Sequence, residues 1–112
     1  ENADAYIIAM PVYCHSVPGP LKNFIDIVCG GMKYKPVAVI GVAGGEKSFL
    51  ACMDLVKIVN QESHCPPLPH IVYASGDDFD TTGRVSEEIE KRLRDQATRF
   101  IDFSSRLRID AG

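Results

Sequence analysis

The sequence predicts an α/β chain, a parallel sheet covered by helices on both faces. Two observations carry this. Three short runs, 5–10, 36–42 and 70–74, are apolar at nearly every position, the pattern of strands buried on both sides. Each is followed by a stretch with helical spacing of apolar residues, giving the order β-α-β-α-β-α. With 112 residues and 46% hydrophobic content the chain suits one domain, and its net charge of −3 is too small for a disordered one.

The first strand, Ala5 to Met10, stops at Pro11. Pro18, Gly19 and Pro20 open a helix that runs to about Cys29, because proline fits a first helical turn. Leu21, Phe24, Ile25 and Val28 form its predicted apolar stripe, and Gly30-Gly31 end it. The second strand, 36–42, is rich in β-branched residues. Ala43, Gly44 and Gly45 then turn into a helix predicted from about Lys47 to Asn60. That helix is apolar nearly all round, so it is expected to pack on more than one surface and to serve as a subunit interface.

Three prolines among residues 65–69 read as a stiff connection without regular structure. The third strand, 70–74, leads into a polar loop, 75–83. Ser86 is a good N-cap for the last helix, followed by Glu87 and Glu88 at the positive end of its dipole. Its predicted core stripe is Ile89, Leu93, Ala97, Phe100 and Ile101, and it runs to about Leu107.

Several function classes are excluded or disfavoured. The longest apolar run, 36–43, is far short of the roughly 20 residues of a membrane-spanning helix. The cations between Lys91 and Arg108 alternate with carboxylates, which describes a solvated helix face and no nucleic-acid footprint. Cys14, Cys29, Cys52 and Cys65 form no C-x-x-C pair, and two lie in apolar segments, so the expected setting is reducing: the cytoplasm, or an organelle stroma.

Ligands of open parallel sheets bind beyond the carboxyl ends of the strands. Three loops meet that condition: 11–17, 43–46 and 75–83. The first places Tyr13, Cys14, His15 and Ser16 in sequence. The second offers glycines that let backbone N–H groups approach a ligand closely. The third is acidic and unsuited to phosphate. Plainer readings stand beside these. Tyr13 can pack over the sheet end, Gly44-Gly45 can be a tight turn, and Asp77, Asp78 and Asp80 can be a solvated loop. Cys14 and His15 lack a second ligand pair for a metal, and neighbours on an extended loop point apart, against a catalytic pair.

The segment from Asp4 to Tyr13, followed by Ser16-Val-Pro-Gly-Pro-Leu-Lys-Asn23-Phe-Ile-Asp26, resembles the NADPH-dependent FMN reductases of the flavodoxin-like superfamily. Lys35-Pro36-Val37 with Gly44-Gly45 at the strand's end is similar to the family's third flavin loop, and Phe79-Asp80-x-x-Gly83 to its pattern before the final helix. The resemblance implies a flavodoxin-like three-layer sandwich. It implies that Pro11, Val12, Tyr13, Cys14, His15 and Ser16 wrap the isoalloxazine ring of FMN, with Ala43, Gly44 and Gly45 flanking it. It further implies hydride transfer from NADPH or NADH to FMN and on to a small-molecule electron acceptor. The cofactor carries that chemistry, so no catalytic side chain is assigned.

Cys14 stands where the family usually has asparagine, and Glu46 brings a carboxylate beside the glycines. The family's opening β-α-β unit is missing ahead of Ala3, so residues 1–112 read as a single, incomplete domain carrying strands three to five of a 2-1-3-4-5 sheet. The apolar strand containing Tyr6 and Met10 is then an edge, expected to be covered by a partner chain, by further residues or within a homo-oligomer. The alternative function is a flavin-free flavodoxin-like subunit or scaffold in a larger assembly.

Overall fold

A computed structural model describes residues 2–45 and 49–107. Its elements are β1 (Tyr6–Pro11), α1 (Gly19–Val28), β2 (Val37–Val42), α2 (Ala51–Ser63), β3 (Val72–Ala74) and α3 (Glu87–Arg106). The three strands form one parallel sheet in the order β1-β2-β3. Tyr6 stands opposite Val37 and Pro11 opposite Val42, while Ile40 to Val42 pair with Val72 to Ala74.

Alternation along β2 divides the core. Val37 and Val39 face α1 and α2, packing with Ile25, Cys52, Leu55 and Val59. Ala38 and Ile40 face α3, packing near Phe100 and Ile89 respectively. The result is helix, sheet, helix, as the near-continuous apolar strands predict. Gly41 is the close point between β2 and α2. An added Cβ there would lie 2.4 Å from the Cys52 Sγ and 3.3 Å from the Tyr73 ring, so no larger residue fits.

β1 runs one residue further than expected and includes Pro11. The N–H groups of Tyr6 and Val12 point to β2, donating to Pro36 and Val42 carbonyls at 2.9 and 2.8 Å. By alternation the nitrogen of Pro11 points to the outer side, where its missing N–H removes no ladder bond. The same geometry leaves the outer edge of β1 open among the described residues, with Ile7 55% exposed.

The helices differ from expectation in their faces. In α1 Ile25 is buried, but Phe24 and Ile27 are 59% and 82% exposed beside the open edge. α2 begins at Ala51, later than predicted, after turn bonds from Cys52 to Phe49 and from Met53 to Leu50. It continues to Ser63 and stops at His64, whose left-handed backbone (φ 54°) breaks the helical repeat. In α3 the Ser86 Oγ accepts from the Ile89 N–H, the predicted cap. Its inner stripe is Ile89, Leu93, Gln96, Phe100 and Phe103; Ala97 and Ile101 face outward. The four arginine–carboxylate pairs of α3 are all exposed i,i+4 bridges, each worth about 0.3–0.5 kcal/mol, as a solvated face requires.

The proline connection is more ordered than its composition predicts. The Val37 N–H donates to the Pro66 carbonyl and the Leu68 N–H to the Val37 carbonyl, a parallel bridge ahead of β3. Prolines still accept, and Leu68 supplies the one donor needed. Between this bridge and β3, buried Gln96 donates to the carbonyls of Val39 (2.9 Å) and His70 (2.8 Å), closing the gap in the ladder.

No helix among the described residues is long and apolar enough to cross a membrane. Cys52 and Cys65 are buried, and burial pushes both thiols above their ordinary range, which keeps them protonated at neutral pH. They act as small core residues.

Candidate functional site

Because the strands are parallel, the loops after β1, β2 and β3 emerge at one end of the sheet. Hydrogen bonding continues past the strand ends and keeps them together: Val12 N–H to Val42, then Ala43 N–H to the Ala74 carbonyl at 3.0 Å.

The first loop is a tight turn and not the extended segment expected. The Ser16 N–H donates to the Tyr13 carbonyl at 3.0 Å across Cys14 and His15, whose φ values are 50° and 62°. Two consecutive left-handed non-glycine residues carry strain of about 1–2 kcal/mol each. The expectation that Cys14 and His15 point apart on an extended loop therefore loses its premise. Tyr13, Cys14 and His15 lie on the exposed side of the turn. Ser16 turns inward and its Oγ donates to Asp54 Oδ2 on α2 at 2.9 Å.

The second loop contributes Ala43, Gly44 and Gly45; Glu46 and Lys47 lie outside the described residues. Neither glycine has a left-handed backbone, and an added Cβ on either would meet no described atom within 4 Å. Among the described residues, then, neither backbone conformation nor packing requires glycine at these two positions; the rest of the turn, 46–48, lies outside them. The N–H groups of Gly44 and Gly45 make no hydrogen bond to the described residues.

The third loop is internally tied. Ser75 and Asp78 form a capping box, with the Asp78 carboxylate accepting from the Ser75 N–H at 2.7 Å. Asp80 Oδ1 accepts from the Thr82 hydroxyl and from the N–H groups of Thr82 and Arg84. These bonds, the Thr82 hydroxyl foremost, hold its carboxyl below the usual carboxylate range. Gly83 takes the left-handed conformation (φ 84°) that closes this turn. So the loop is solvated, with Asp77 and Asp80 exposed, and Asp78 and Asp80 also tie it internally. Ser75-x-x-Asp78 has capping-box spacing, the signal that could have revealed the first of them. Nothing local marks Asp54 or Tyr73, whose partners lie far along the chain.

All nine predicted site residues, Pro11 to Ser16 and Ala43 to Gly45, therefore gather at one end of the sheet on two adjacent loops. An apolar concavity among the described residues lies elsewhere. A groove of about 770 Å³ runs along β1 and α1, lined by Ile7, Ala9, Phe24, Ile27 and Gly30 among others. It follows the open edge of the sheet, and its lining side chains are mostly apolar.

The profile of the NADPH-dependent FMN reductase family fits residues 1–80. An FMN reductase (NADPH) of Pseudomonas aeruginosa is 34% identical over 100 residues, covering 88% of this chain and 54% of that protein. The NADH-dependent FMN reductase SfnF of Pseudomonas fluorescens is 32% identical over the same shares. The chain thus spans about half the length of these relatives. An oxidoreductase from Corynebacterium diphtheriae superposes with a TM-score of 0.75 at 23% identity, over 98% of this chain and 58% of that one. The apo form of the NADH:FMN oxidoreductase EmoB gives 0.73 at 23% identity, over 88% and 52%. Both carry the same flavodoxin-like fold. On the profile match and the sequence identity together, this chain belongs to the NADPH-dependent FMN reductase family.

Proposed function

We propose that this chain forms the ring-binding side of an FMN-dependent NAD(P)H oxidoreductase. The observation that carries the reading is the pair Gly44-Gly45, for which neither a left-handed backbone nor packing against any described residue requires glycine. Glycine there leaves room, and N–H donors that pair with no described residue, for an outside group with a flat face and a polar edge. Pro11, Val12 and Tyr13 supply apolar and aromatic surface beside them, with Tyr13 62% exposed. Cys14, His15 and Ser16 complete the turn around the ring, and Ala43 adjoins it from the second loop.

Bound FMN would supply hydride acceptance from NADPH or NADH and electron delivery to a small acceptor. The residues of this chain hold and orient the ring, and the glycine N–H groups stabilise negative charge developing on its polar edge. The three loops contain no lysine or arginine to pair with the FMN phosphate. FMN titration monitored by flavin fluorescence, followed by NADPH-dependent bleaching, tests the proposal. A chain that leaves FMN free at 100 µM-range concentrations, about 5.5 kcal/mol of binding, does not have this site.

The open edge of β1 supports a second part of the reading. Ile7 and Ala9 present unpaired backbone groups beside the apolar groove, a surface that a further strand, from the same protein or a partner copy, would cover. Phe49, Leu50 and Met53, exposed near the start of α2, are the proposed contact for a homo-oligomer. The buried thiols fit a reducing, cytoplasmic setting. Sedimentation of the chain, with and without Leu50→Lys, tests the oligomer.

A further inference from the structure

We infer that Tyr73 is a positioning residue for the glycine loop, fixing Gly44 and Gly45 where they meet the flavin ring. This rests on the flavin reading above.

Tyr73 is the middle residue of β3, between Val72 and Ala74, which are buried against α3. Its side chain therefore projects to the opposite face, the α2 side. There its ring lies across Gly41, its register partner on β2, and the absence of a side chain at 41 creates the slot. Phe49 packs edge-on against the same ring, with centroids 5.8 Å apart and planes at 80°. Held on both sides, the ring directs its hydroxyl to the Gly45 carbonyl, to which it donates a hydrogen bond. The Gly44 carbonyl lies within van der Waals reach of Gly76 on the next loop, 3.4 Å from where a Cβ would sit.

These contacts have a consequence for the loop. Two adjacent glycines have more conformational freedom than any other pair, and a ring-binding loop left free would lose that freedom on every binding event. The Tyr73 hydroxyl removes part of it in advance. The tether runs from the sheet, through a rigid aromatic side chain, to the second of the two glycines. Its location explains why an aromatic residue with a hydroxyl occupies a short edge strand whose other side chains are simple core residues.

The test is Tyr73→Phe, which deletes the hydroxyl and keeps the ring packed over Gly41 and against Phe49. Tyr34→Phe, at the amino end of the strands, serves as the control. In Tyr73→Phe the FMN dissociation constant should rise about five-fold, the scale of one hydrogen bond, and the bound-flavin absorption bands should shift. Amide order parameters of Gly44 and Gly45 without flavin should fall from the rigid range near 0.85 toward about 0.6, with those of β2 and α2 unchanged. A merely structural tyrosine would lower the melting temperature and leave the flavin spectrum of the folded protein unaltered. If the unaltered chain fails to bind FMN, the flavin reading falls and this role falls with it. If it binds, and Tyr73→Phe matches it in affinity, spectrum and order parameters, only the Tyr73 role is overturned.

Discussion

Ser16 Oγ donates a 2.9 Å hydrogen bond to Asp54 Oδ2, joining the turn after β1 to the first turn of α2 across 38 residues of sequence. The bond is half-buried, and it anchors the inward end of a turn whose exposed residues form the proposed ring contacts. Asp54 also sits at the positive end of the helix dipole, where a carboxylate is favoured. Asp54→Ala removes both effects. It should cost about 1–2 kcal/mol in urea unfolding and weaken FMN binding several-fold. Ser16→Ala should reproduce the binding loss at smaller cost in stability. Equal affinity in all three proteins would show that the turn needs no anchor.

Glycines 41 and 44 give opposite expectations. Gly44→Ala meets open space, so stability should stay level or rise by about 0.5 kcal/mol through a less flexible unfolded chain. FMN affinity should nevertheless drop at least about ten-fold, because the added methyl group occupies ligand space. Gly41→Ala drives a Cβ into the Cys52 sulfur and should destabilise by about 2–3 kcal/mol. Calorimetry on both variants, with FMN titration of the first, separates a ligand requirement from a packing one. A Gly44→Ala protein with full affinity would remove the main support for the flavin site.

Cys14 occupies a left-handed conformation that asparagine tolerates better. Cys14→Asn should therefore raise the urea midpoint, with a gain of about 0.5–1 kcal/mol. The comparison is informative because Cys14 is exposed and loses no core contact on substitution. A lower midpoint would mean the turn differs from the one described.

Gln96 is a polar residue in an apolar stripe, and its amide serves two carbonyls. Gln96→Leu keeps the volume but strands the Val39 carbonyl inside the protein. The expected loss is about 2 kcal/mol, with faster amide exchange in β3 than in β1. Unchanged β3 protection would place the cost elsewhere.

The pH dependence of the third loop has a defined sign. Hydrogen bonds hold Asp80 below its ordinary value in the folded chain, so its ionised form favours folding. That contribution is complete above the unfolded value near 3.8 and is lost as pH falls through the lower folded value. Asp80→Asn should flatten the acid limb of a stability curve measured from pH 6 to pH 2. Its exposure and solvent screening keep the effect small. An unchanged slope would assign the acid limb to other carboxylates.

The alternation of strands and helices, the Ser86 cap and the gathering of three loops at one sheet end were legible in the sequence. Each depends on local patterns, namely apolar runs of period one or two, a capping residue, and the rule that parallel strands share their carboxyl ends. The block from Asp4 to Asp26 also carried the family, since such spacing of proline, tyrosine and asparagine is specific. Helix faces were less legible: the spacing of Ala97 and Ile101 suits a core stripe as well as Gln96 and Phe103 do. Only packing against β2 and β3 selected the second set. Ser16–Asp54, Tyr73–Gly45 and Gln96–Val39 were invisible for the same reason, that each bond joins residues 28 to 57 positions apart. By itself, then, the sequence determined the layers, the end of the sheet where the three loops gather, and the family. The tertiary structure alone decided which side chains hold the loops there, and that no described residue crowds Gly44 or Gly45 while Cys52 and Tyr73 close in on Gly41. That last distinction depends on what lies across from each glycine, and chain neighbours contain no record of it.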